Sequence, residues 1–549
     1  MNLSLNGRFL IALVLLSPLA ASANDFVDTR INFTVTDENL LVKPGETNPN
    51  VPGLRIGQPN QFGILFFDNY DTRYTGYENL THAVLYKKME KGRFLAEGAL
   101  ALRLMQFSDV NLSTLDDSSY VRVAIYFDKE RKSNDNISLT AFPNSADRMR
   151  LGFSYRLSWG GSPIFFKFNP DLPASATPPV NSAPAPGARL QYTSDRFTIW
   201  GGFKTSVLLN KNPSVSDQAA IYAFMGGASV DAWVALNAER SLNFRFEVNG
   251  GYFDRGNNPN FYPTQFTGPG SCIVTSSCNF PDFPVWTAGG SGQISIWSGL
   301  PPSLSLDYLL YRNDPTSATR YFTKPVYKPG FNWLAQSEFT YTATSVQDFD
   351  HQQSTTKQYA YAGDVNLRAQ VGHARIKLDA SMRSLEFMLI NQPSLVPYTS
   401  LPQGAEITPD KFVSVGFDYN FESIGLTIGP TVGLDFPASI TPPKPDPRLC
   451  GNTGGTLCTP ATIVVRGEGD FSILPLADAA GNRVSALPVE AAKLLVREDF
   501  LDYFAAILDL YYSHDPNQTH LTKAPDGTEV RDFNHPNVLG FNLTLQARF

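Results

Sequence analysis

The side chains of this sequence that could bind or select a solute are basic residues spaced an even number of positions apart. In the stretch 148–159, arginines at positions 148, 150 and 156 alternate with apolar residues. Successive side chains of an extended strand point to opposite faces, so the stretch predicts a strand with a basic face and an apolar face. Positive charge along a narrow passage concentrates the electric field and selects ions of opposite sign. Arg148, Arg150 and Arg156 are therefore the first candidates for an anion-selective stripe.

Further basic residues fall on the polar phase of other alternating stretches. They have two interpretations: they line a passage that favours anions, or they join salt-bridge ladders that only stiffen and solvate a wall. Such a ladder would place Asp364 and Arg368 opposite Arg375, Lys377 and Asp379 across a turn at 372–373. The remaining lining candidates are Arg103, Arg122, Arg245, Arg368, Arg375, Lys377 and Arg383.

Residue patterns typical of catalysis are weak in this sequence. None of the six histidines lies in a nucleophile elbow or in a metal-binding doublet. His514 beside Asp515 could be half of a catalytic dyad, but the segment around it has the composition of a strand end that runs into a surface loop. No EF-hand spacing is present. We expect no enzymatic activity, no cofactor and no metal site.

The four cysteines form two close pairs, Cys272 with Cys278 and Cys450 with Cys458. This spacing predicts two disulfides that each close a small loop in an oxidising compartment. A zinc site is the weaker interpretation, because the spacings are long and no histidine lies near either pair.

The N-terminus has the organisation of a secretory signal peptide. A short region with Arg8 precedes an apolar run from Phe9 to Leu16, and small residues end at Ala23. The apolar run is much shorter than the roughly 20 residues that a spanning helix needs, which disfavours a membrane anchor. We expect cleavage after residue 23 and a mature chain, 24–549, that forms a single domain.

Most of the mature chain alternates apolar and polar residues with a period of two. The clearest example is the C-terminus, where Leu543, Leu545 and Phe549 share one phase and polar residues the other. These stretches are about ten residues long, whereas strands of soluble sheets average five or six. Charged residues make up only 17% of the chain, the net charge is −7 and no basic cluster is present, which excludes a nucleic-acid partner. The other stretches with this alternation are 31–35, 93–106, 119–128, 196–208, 219–230, 241–253, 286–297, 302–312, 333–346, 358–371, 373–384, 411–421, 424–436 and 503–513.

Two kinds of connection separate the alternating stretches. Short turns are expected at 90–92, 299–302, 372–373 and 422–423. Long connections rich in proline and glycine are expected at 169–187, 254–285, 437–460 and 514–536, and the two cysteine pairs lie in the second and third of these.

The predicted fold class is all-β, a transmembrane antiparallel up-and-down β-barrel. Strands of this length suit a tilted crossing of a bilayer, and a spanning sheet must close so that every backbone group is paired. The pattern gives about 18 strands, with 16 or 20 as alternatives, and the short turns cannot all be placed on one side. We expect a missed strand in 313–358 or 389–410. The patch 489–496 is either a short helical cap or a disguised strand.

The last strand carries a family resemblance. Phe541, Leu543, Leu545 and the terminal Phe549, together with the signal peptide, resemble the C-terminal assembly signal of Gram-negative outer-membrane β-barrel proteins. A looser similarity, resting on size and on the basic inner face, is to large single-chain porins and to alginate-export-type barrels. The resemblance implies export to the periplasm, handling by periplasmic chaperones, insertion by the barrel-assembly machinery, and residence in outer-membrane lipid with the long loops outside the cell.

The expected function is that of a porin-like channel for small solutes, with a preference for anions. Two alternatives stay open: a conduit for polysaccharide export, and a non-conducting barrel that anchors a surface assembly for motility, adhesion or secretion. The second would add periplasmic or surface protein partners. The two classes differ in whether the lumen is open, which residue types do not report. A soluble exported propeller is disfavoured because no 40-residue repeat is present.

Overall fold

The structure is a computed structural model. The predicted signal peptide, all four cysteines, Arg148 and the predicted strand 302–312 lie outside the residues that it describes. The described residues are 28–37, 39–42, 77–106, 113–116, 118–146, 149–152, 156–161, 185–208, 219–236, 241–258, 283–299, 330–348, 354–390, 400–401, 403–441, 462–465, 475–476, 485–500, 503–517, 519–523, 529–533 and 535–548.

The described chain is built almost entirely of antiparallel strands. One short helix, α1 (Leu385–Leu389), and one turn of 3-10 helix (Glu422–Ile424) interrupt them. No described helix has the length and apolar character needed to cross a bilayer. The strands are β1 (Asp28–Asp37), β2 (Tyr77–Lys91), β3 (Phe94–Gln106), β4 (Ser113–Asp116), β5 (Tyr120–Tyr126), β6 (Asn136–Phe142), β7 (Gly187–Thr193), β8 (Phe197–Leu208), β9 (Ala219–Ala235), β10 (Ser241–Asn258), β11 (Phe283–Gly299), β12 (Phe331–Gln347), β13 (Thr355–Val371), β14 (Ala374–Arg383), β15 (Glu406–Thr408), β16 (Asp410–Phe421), β17 (Leu426–Phe436), β18 (Ala438–Thr441), β19 (Thr462–Val465), β20 (Pro475–Leu476), β21 (Val489–Phe500), β22 (Phe504–His514), β23 (Thr519–Lys523), β24 (Glu529–Phe533) and β25 (Asn537–Arg548).

Nineteen of these strands form one sheet. β4 and β5 pair with successive parts of the same edge of β3, so they share one place in the wall and the 19 strands fill 18 places. β1 pairs with β2 on one side and with β25 on the other, where the register runs from Arg30↔Arg548 to Asp37↔Phe541. This pairing joins the first and last strands of the sheet. Every place in the wall therefore has a paired neighbour on both sides, which is the condition for a sheet that crosses hydrocarbon.

The two faces of the sheet have opposite polarity. On β25, Leu543 and Leu545 are exposed on the outer face, whereas Asn542, Thr544 and Gln546 are buried on the inner face. The same alternation holds for β5, β10 and β16, where exposed apolar side chains alternate with inward ones. Apolar side chains directed outward and polar side chains directed inward are the arrangement of a barrel surrounded by lipid.

Connections of different length lie at the two ends of the barrel. At the end that holds the start of β1 and the end of β25, which we call the turn side, neighbouring strands are joined at 92–93, 127–135, 194–196, 236–240, 372–373, 422–425 and 501–503. The opposite end, the loop side, holds the longer connections, including 143–186, 259–282, 437–488 and 515–536. One connection of 31 residues, 300–330, departs from this division, because β11 ends and β12 begins on the turn side.

Several strand assignments made from the sequence need correction. The stretch 148–159 does not form a wall strand. Of the two alternatives for 489–496, the disguised strand is confirmed, because these residues belong to β21. β2, β6 and β7 were not predicted, and they lie outside the two regions in which a missing strand was expected. With these changes every predicted short turn within the described residues lies on the turn side, which removes the inconsistency in the count.

Candidate functional site: the lumen and its inward segment

A segment of the connection between β6 and β7 folds into the barrel. Its described parts, 149–152 and 156–161, are here called the inward segment. Leu151 and Trp159 exchange two backbone hydrogen bonds of 2.8 Å and form an isolated antiparallel bridge. Their side chains, like those of Met149 and Leu157, are fully buried. The described apolar residues of 148–159 therefore pack within the lumen and not against lipid, although their alternation is that of a wall strand.

Two glycines set the backbone of the inward segment. Gly152 and Gly160 have φ values of +84° and +75°, in the left-handed region that glycine occupies without a steric cost. A Cβ atom on Gly160 would lie 2.4 Å from Cζ of Phe253. Both positions therefore require glycine, the second for space as well as for conformation.

The inward segment packs against the inner face of β8 and β10. Trp159 lies against Phe253, with ring centroids 5.3 Å apart. The Lys204 ammonium of β8 donates a hydrogen bond of 2.9 Å to the carbonyl of Gly160. A Cβ atom on Gly251 would lie 2.7 Å from Cδ1 of Leu151. The wall thus leaves room for the segment at a glycine and holds it with an aromatic contact and a buried cation.

Arg156 of the inward segment contacts β16, on a different part of the wall. Its guanidinium carbon lies 3.4 Å from the centre of the Phe412 ring, and both side chains are buried. Phe412 is paired in register with Asp435 of β17, which interacts electrostatically with Arg156. β10 and β16 are five strand spacings apart, about 24 Å around the wall. The inward segment therefore bridges two separate parts of the barrel.

An apolar cluster surrounds the inward segment inside the barrel. It includes Val84 of β2, Ala101 of β3 and Ala362 of β13, and β13 lies halfway around the wall from β3. Phe387 of α1 joins the same cluster from the loop side. Part of the lumen is thus filled by apolar side chains, a feature that the alternating sequence pattern did not indicate.

Most of the described basic candidates on the wall form ion pairs with neighbouring strands. Arg122 lies 3.3 Å from Glu97, and Arg245 forms a bidentate pair with Asp231 at 2.6 and 2.8 Å. Pairs of this kind correspond to the salt-bridge interpretation of the sequence. Three further contacts lie on β14 and β16: Arg375 Nε to Asp418 Oδ1, Lys377 Nζ to Asp418 Oδ2 and Arg383 Nε to Asp410 Oδ1, each 2.9 Å.

The expected salt-bridge ladder across the turn at 372–373 does not account for the ion pairs of Arg375 and Lys377, whose carboxylate partner lies on another strand. Arg368 lies opposite Lys377 in the register of β13 and β14, so two cations face each other there. Lys377 and Arg375 both form ion pairs with the carboxylate of Asp418 on the next strand, β16. For Arg103 the structure describes the backbone in β3 only. Arg150 is half-buried in the inward segment.

Two cations that the sequence analysis did not single out lie beside the inward segment. Lys204 is fully buried, and Arg189 of β7 stacks over Trp200 with its guanidinium carbon 4.2 Å from the ring centre. Lys204 lies on the polar phase of the predicted stretch 196–208, which is the signal that could have identified it. Arg189 lies in β7, which is too short to give such a signal. Among the described residues there is no group of three or more His, Cys, Asp or Glu arranged to hold a metal ion.

Eighteen antiparallel places in the wall, an apolar outer face, a polar inner face and long connections on one side define an outer-membrane-type β-barrel. β25, which contains Phe541, Leu543 and Leu545 of the predicted assembly signal, pairs with β1.

Comparison with known proteins finds no matching family model and no matching curated protein. Among solved structures the chain is similar to three outer-membrane proteins. OprD of Pseudomonas aeruginosa has 8% identity, with 96% of this chain and 97% of that chain covered and a TM-score of 0.37. OccK11 of the same organism has 7% identity, coverage of 95% and 96%, and a TM-score of 0.36. The outer-membrane channel DcaP of Acinetobacter baumannii has 9% identity, coverage of 95% and 96%, and a TM-score of 0.35.

Proposed function

We propose that this barrel is an outer-membrane channel that passes small solutes through a lumen narrowed by the inward segment, with a preference for anions. The observation that carries the proposal is the course of the inward segment between β10 and β16, inside a wall with a polar inner face. Such a constriction makes passage depend on the size and charge of the solute. Delivery by periplasmic chaperones and insertion by the barrel-assembly machinery belong to the same proposal.

The anion preference is supported by the charges beside the constriction. Arg150 and Arg156 lie on the inward segment, and Arg189 and Lys204 lie on the adjoining wall. The described inward-facing residues of β6, β7 and β8 include no carboxylate. Arg156 also interacts with Asp435 on the far wall, so the excess of basic groups lies on the β6 to β8 side of the constriction. We propose that this basic side favours anions, although the chain as a whole is acidic.

The direct test is single-channel current in a planar bilayer with a salt gradient. We expect stable current steps and a reversal potential with the sign of anion selectivity. Arg150→Gln should shift the reversal potential towards zero. Arg131→Gln is the matched control, because Arg131 lies in a turn-side connection and bonds to Gly92 and Glu90. Cation selectivity, or equal shifts in both variants, would contradict the anion preference.

The apolar cluster inside the barrel favours one second candidate, a non-conducting barrel that anchors a surface assembly. Side chains from opposite parts of the wall join in that cluster, which would obstruct a wide passage. A folded, inserted protein that carries no current and does not let a small neutral sugar into liposomes would support this alternative over the channel. The polysaccharide conduit requires a lumen wide enough for a chain of sugars, and the same liposome assay with oligosaccharides of increasing length separates it from a channel for small solutes.

A further inference from the structure

The inward segment meets the barrel wall at two places with different chemistry. Against β8 and β10 it packs among apolar side chains and glycines. Lys204 donates a hydrogen bond to Gly160, and the backbone N–H of Gly152 donates one to Asn249. Against β16 and β17 its described side-chain contact is that of Arg156 with Phe412 and Asp435. The first contact is broad and largely apolar, whereas the described part of the second is made by the long side chain of Arg156.

The wall groups that receive Arg156 form a compact cluster at the loop-side ends of three adjacent strands. We call Arg383, Asp410, Phe412 and Asp435 the far-wall cluster. Arg383 bonds to Asp410 at 2.9 Å, and the Asp435 carboxyl group lies close enough to Asp410, Arg383 and Arg156 to interact electrostatically with them. Two carboxyl groups thus lie beside two arginines, Arg383 from the wall and Arg156 from the segment. All five side chains are buried.

We infer that Arg156 is a positioning residue that holds the inward segment across the lumen by its contact with the far-wall cluster, and that it thereby sets the size of the passage. The inference rests on the proposed channel function and concerns its regulation. A guanidinium is attracted more strongly to an aromatic face when both are removed from water, and loss of one partner of a buried ion pair leaves the other charge uncompensated. Loss of Arg156 removes the described contact of the segment with Phe412 and Asp435, so the part of the segment around residue 156 can move away from β16.

The test compares Arg156→Ala with Lys493→Ala. Each variant removes one lumen-facing cation that contacts a carboxylate, but Lys493 of β21 pairs with Asp509 on the neighbouring wall strand. The first readout is the largest neutral polyethylene glycol that enters the channel and reduces its current, a quantity that does not depend on the charge of the wall. We expect Arg156→Ala to shift this cut-off to larger polymers, Lys493→Ala to leave it unchanged, and Arg156→Lys to shift it less than Arg156→Ala.

A second readout follows the segment itself and needs no current. Ser158→Cys places a thiol on the inward segment, and its reaction with a membrane-impermeant maleimide is measured at that position by mass spectrometry. We expect faster labelling when Arg156→Ala is added and no change when Lys493→Ala is added.

The two readouts separate failure of this inference from failure of the channel function. Faster labelling in a protein that carries no current supports the positioning role and rejects the channel. Normal current with an unchanged polymer cut-off and unchanged labelling in Arg156→Ala overturns the positioning role and leaves the channel intact. No current together with unchanged labelling rejects both.

Discussion

The inner face of the barrel wall is filled in different ways in two sectors. In the glycine sector, β8 to β11 carry the doublets 201–202, 226–227, 250–251 and 289–290 at one level of the wall, and the inward segment packs against two of their inward-facing members, Gly202 and Gly251. In the charged sector, β13 to β17 carry the inward-facing groups that pair through Asp418 and Asp410. Where Met149 and Leu151 of the segment pack, the wall has glycines. The charged sector, which the segment reaches through Arg156, has ion pairs on its inner face.

The two sectors differ in the kind of contact that the inward segment makes with them, and Arg156 makes the contact with the charged sector. Contacts in the glycine sector depend on close approach of backbone and small groups, so they tolerate little added volume. Contacts in the charged sector depend on matched charge, so they tolerate little loss of a partner. Arg156 is the residue of the inward segment that reaches from the first sector into the second.

The largest effect is expected from loss of a carboxylate in the charged sector. Asp418→Ala leaves Arg375 and Lys377 without the buried group that they share, and breaking such a pair costs about 3–5 kcal/mol. Glu422→Gln is the control, because Glu422 is 80% exposed in a turn and its pair with His373 contributes about 0–1 kcal/mol. Unfolding by urea in lipid bilayers, followed by tryptophan fluorescence, measures both. Equal losses would show that the ion pairs do not maintain this sector.

A smaller loss of stability is expected when volume is added to the glycine sector. A Cβ atom on Gly289 would lie 2.4 Å from the backbone oxygen of Tyr341, so Gly289→Ala must displace the backbone of β12 and should cost about 1–3 kcal/mol. Gly292, on the same strand, has no atom closer than 3.9 Å to an added Cβ, and Gly292→Ala should stay within about 0.5 kcal/mol. The same unfolding measurement compares them. If the two variants match, close packing is not the reason for glycine in this sector.

Within the inward segment, Gly160→Ala should disturb the channel more than it disturbs the fold. Gly160 and Gly372 both have positive φ, which costs an alanine about 1–2 kcal/mol at either position. Only at Gly160 does the added methyl group meet Phe253, because nothing lies within 4 Å at Gly372. We expect altered conductance or added current noise for Gly160→Ala and normal current for Gly372→Ala. Normal current in both would mean that the Gly160 contact does not shape the passage.

The smallest effect is expected outside both sectors, in the connection between β5 and β6. Backbone N–H groups of Glu130 and Lys132 donate to the Asp128 carboxylate and hold its pKa below the ordinary value of 3.8. The pKa is lower in the folded state, so this local stabilisation is complete above pH 3.8 and is lost as the pH falls through the folded value.

Amide hydrogen exchange at Glu130 and Lys132 measures this contribution. Protection in the unmodified protein should fall only at strongly acidic pH. Asp128→Asn should exchange faster at neutral pH, without a change in channel current. Equal exchange rates in the two proteins at neutral pH would show that the Asp128 carboxylate does not stabilise this turn.

The strands that were predicted correctly are those whose two faces meet different solvents. β25 and β5 alternate regularly because side chains that face lipid are apolar, whereas those that face the lumen are mostly polar. β21 resembled a helix because Val489 and Leu495 point inward while Glu490 and Glu498 point outward, which reverses the usual polarity at several positions. Strands as short as β6 and β7 give too few alternations to recognise.

The stretch 148–159 was misassigned for a reason that one sequence does not reveal. Its apolar phase has the pattern that faces lipid elsewhere, but here it packs against Gly251 and Phe253, more than 90 residues further along the chain. The ion partners of the basic candidates were hidden in the same way, because Asp418 is brought to Arg375 and Lys377 by strand register alone. Alternation thus predicts the wall, whereas the contents of the lumen depend on which strands become neighbours.

The most direct test of the central claim, that the inward segment lies inside the barrel against β10, is disulfide cross-linking from Leu151→Cys. Gly250 and Gly251 are adjacent on β10 but belong to opposite faces, and Leu151 contacts the position of a Cβ on Gly251. After oxidation of the folded protein in lipid, mass spectrometry of its peptides should find the cross-link with Gly251→Cys and not with Gly250→Cys. Cross-linking to Gly250→Cys alone, or equally to both, would contradict the inward course of the segment and the constriction built on it.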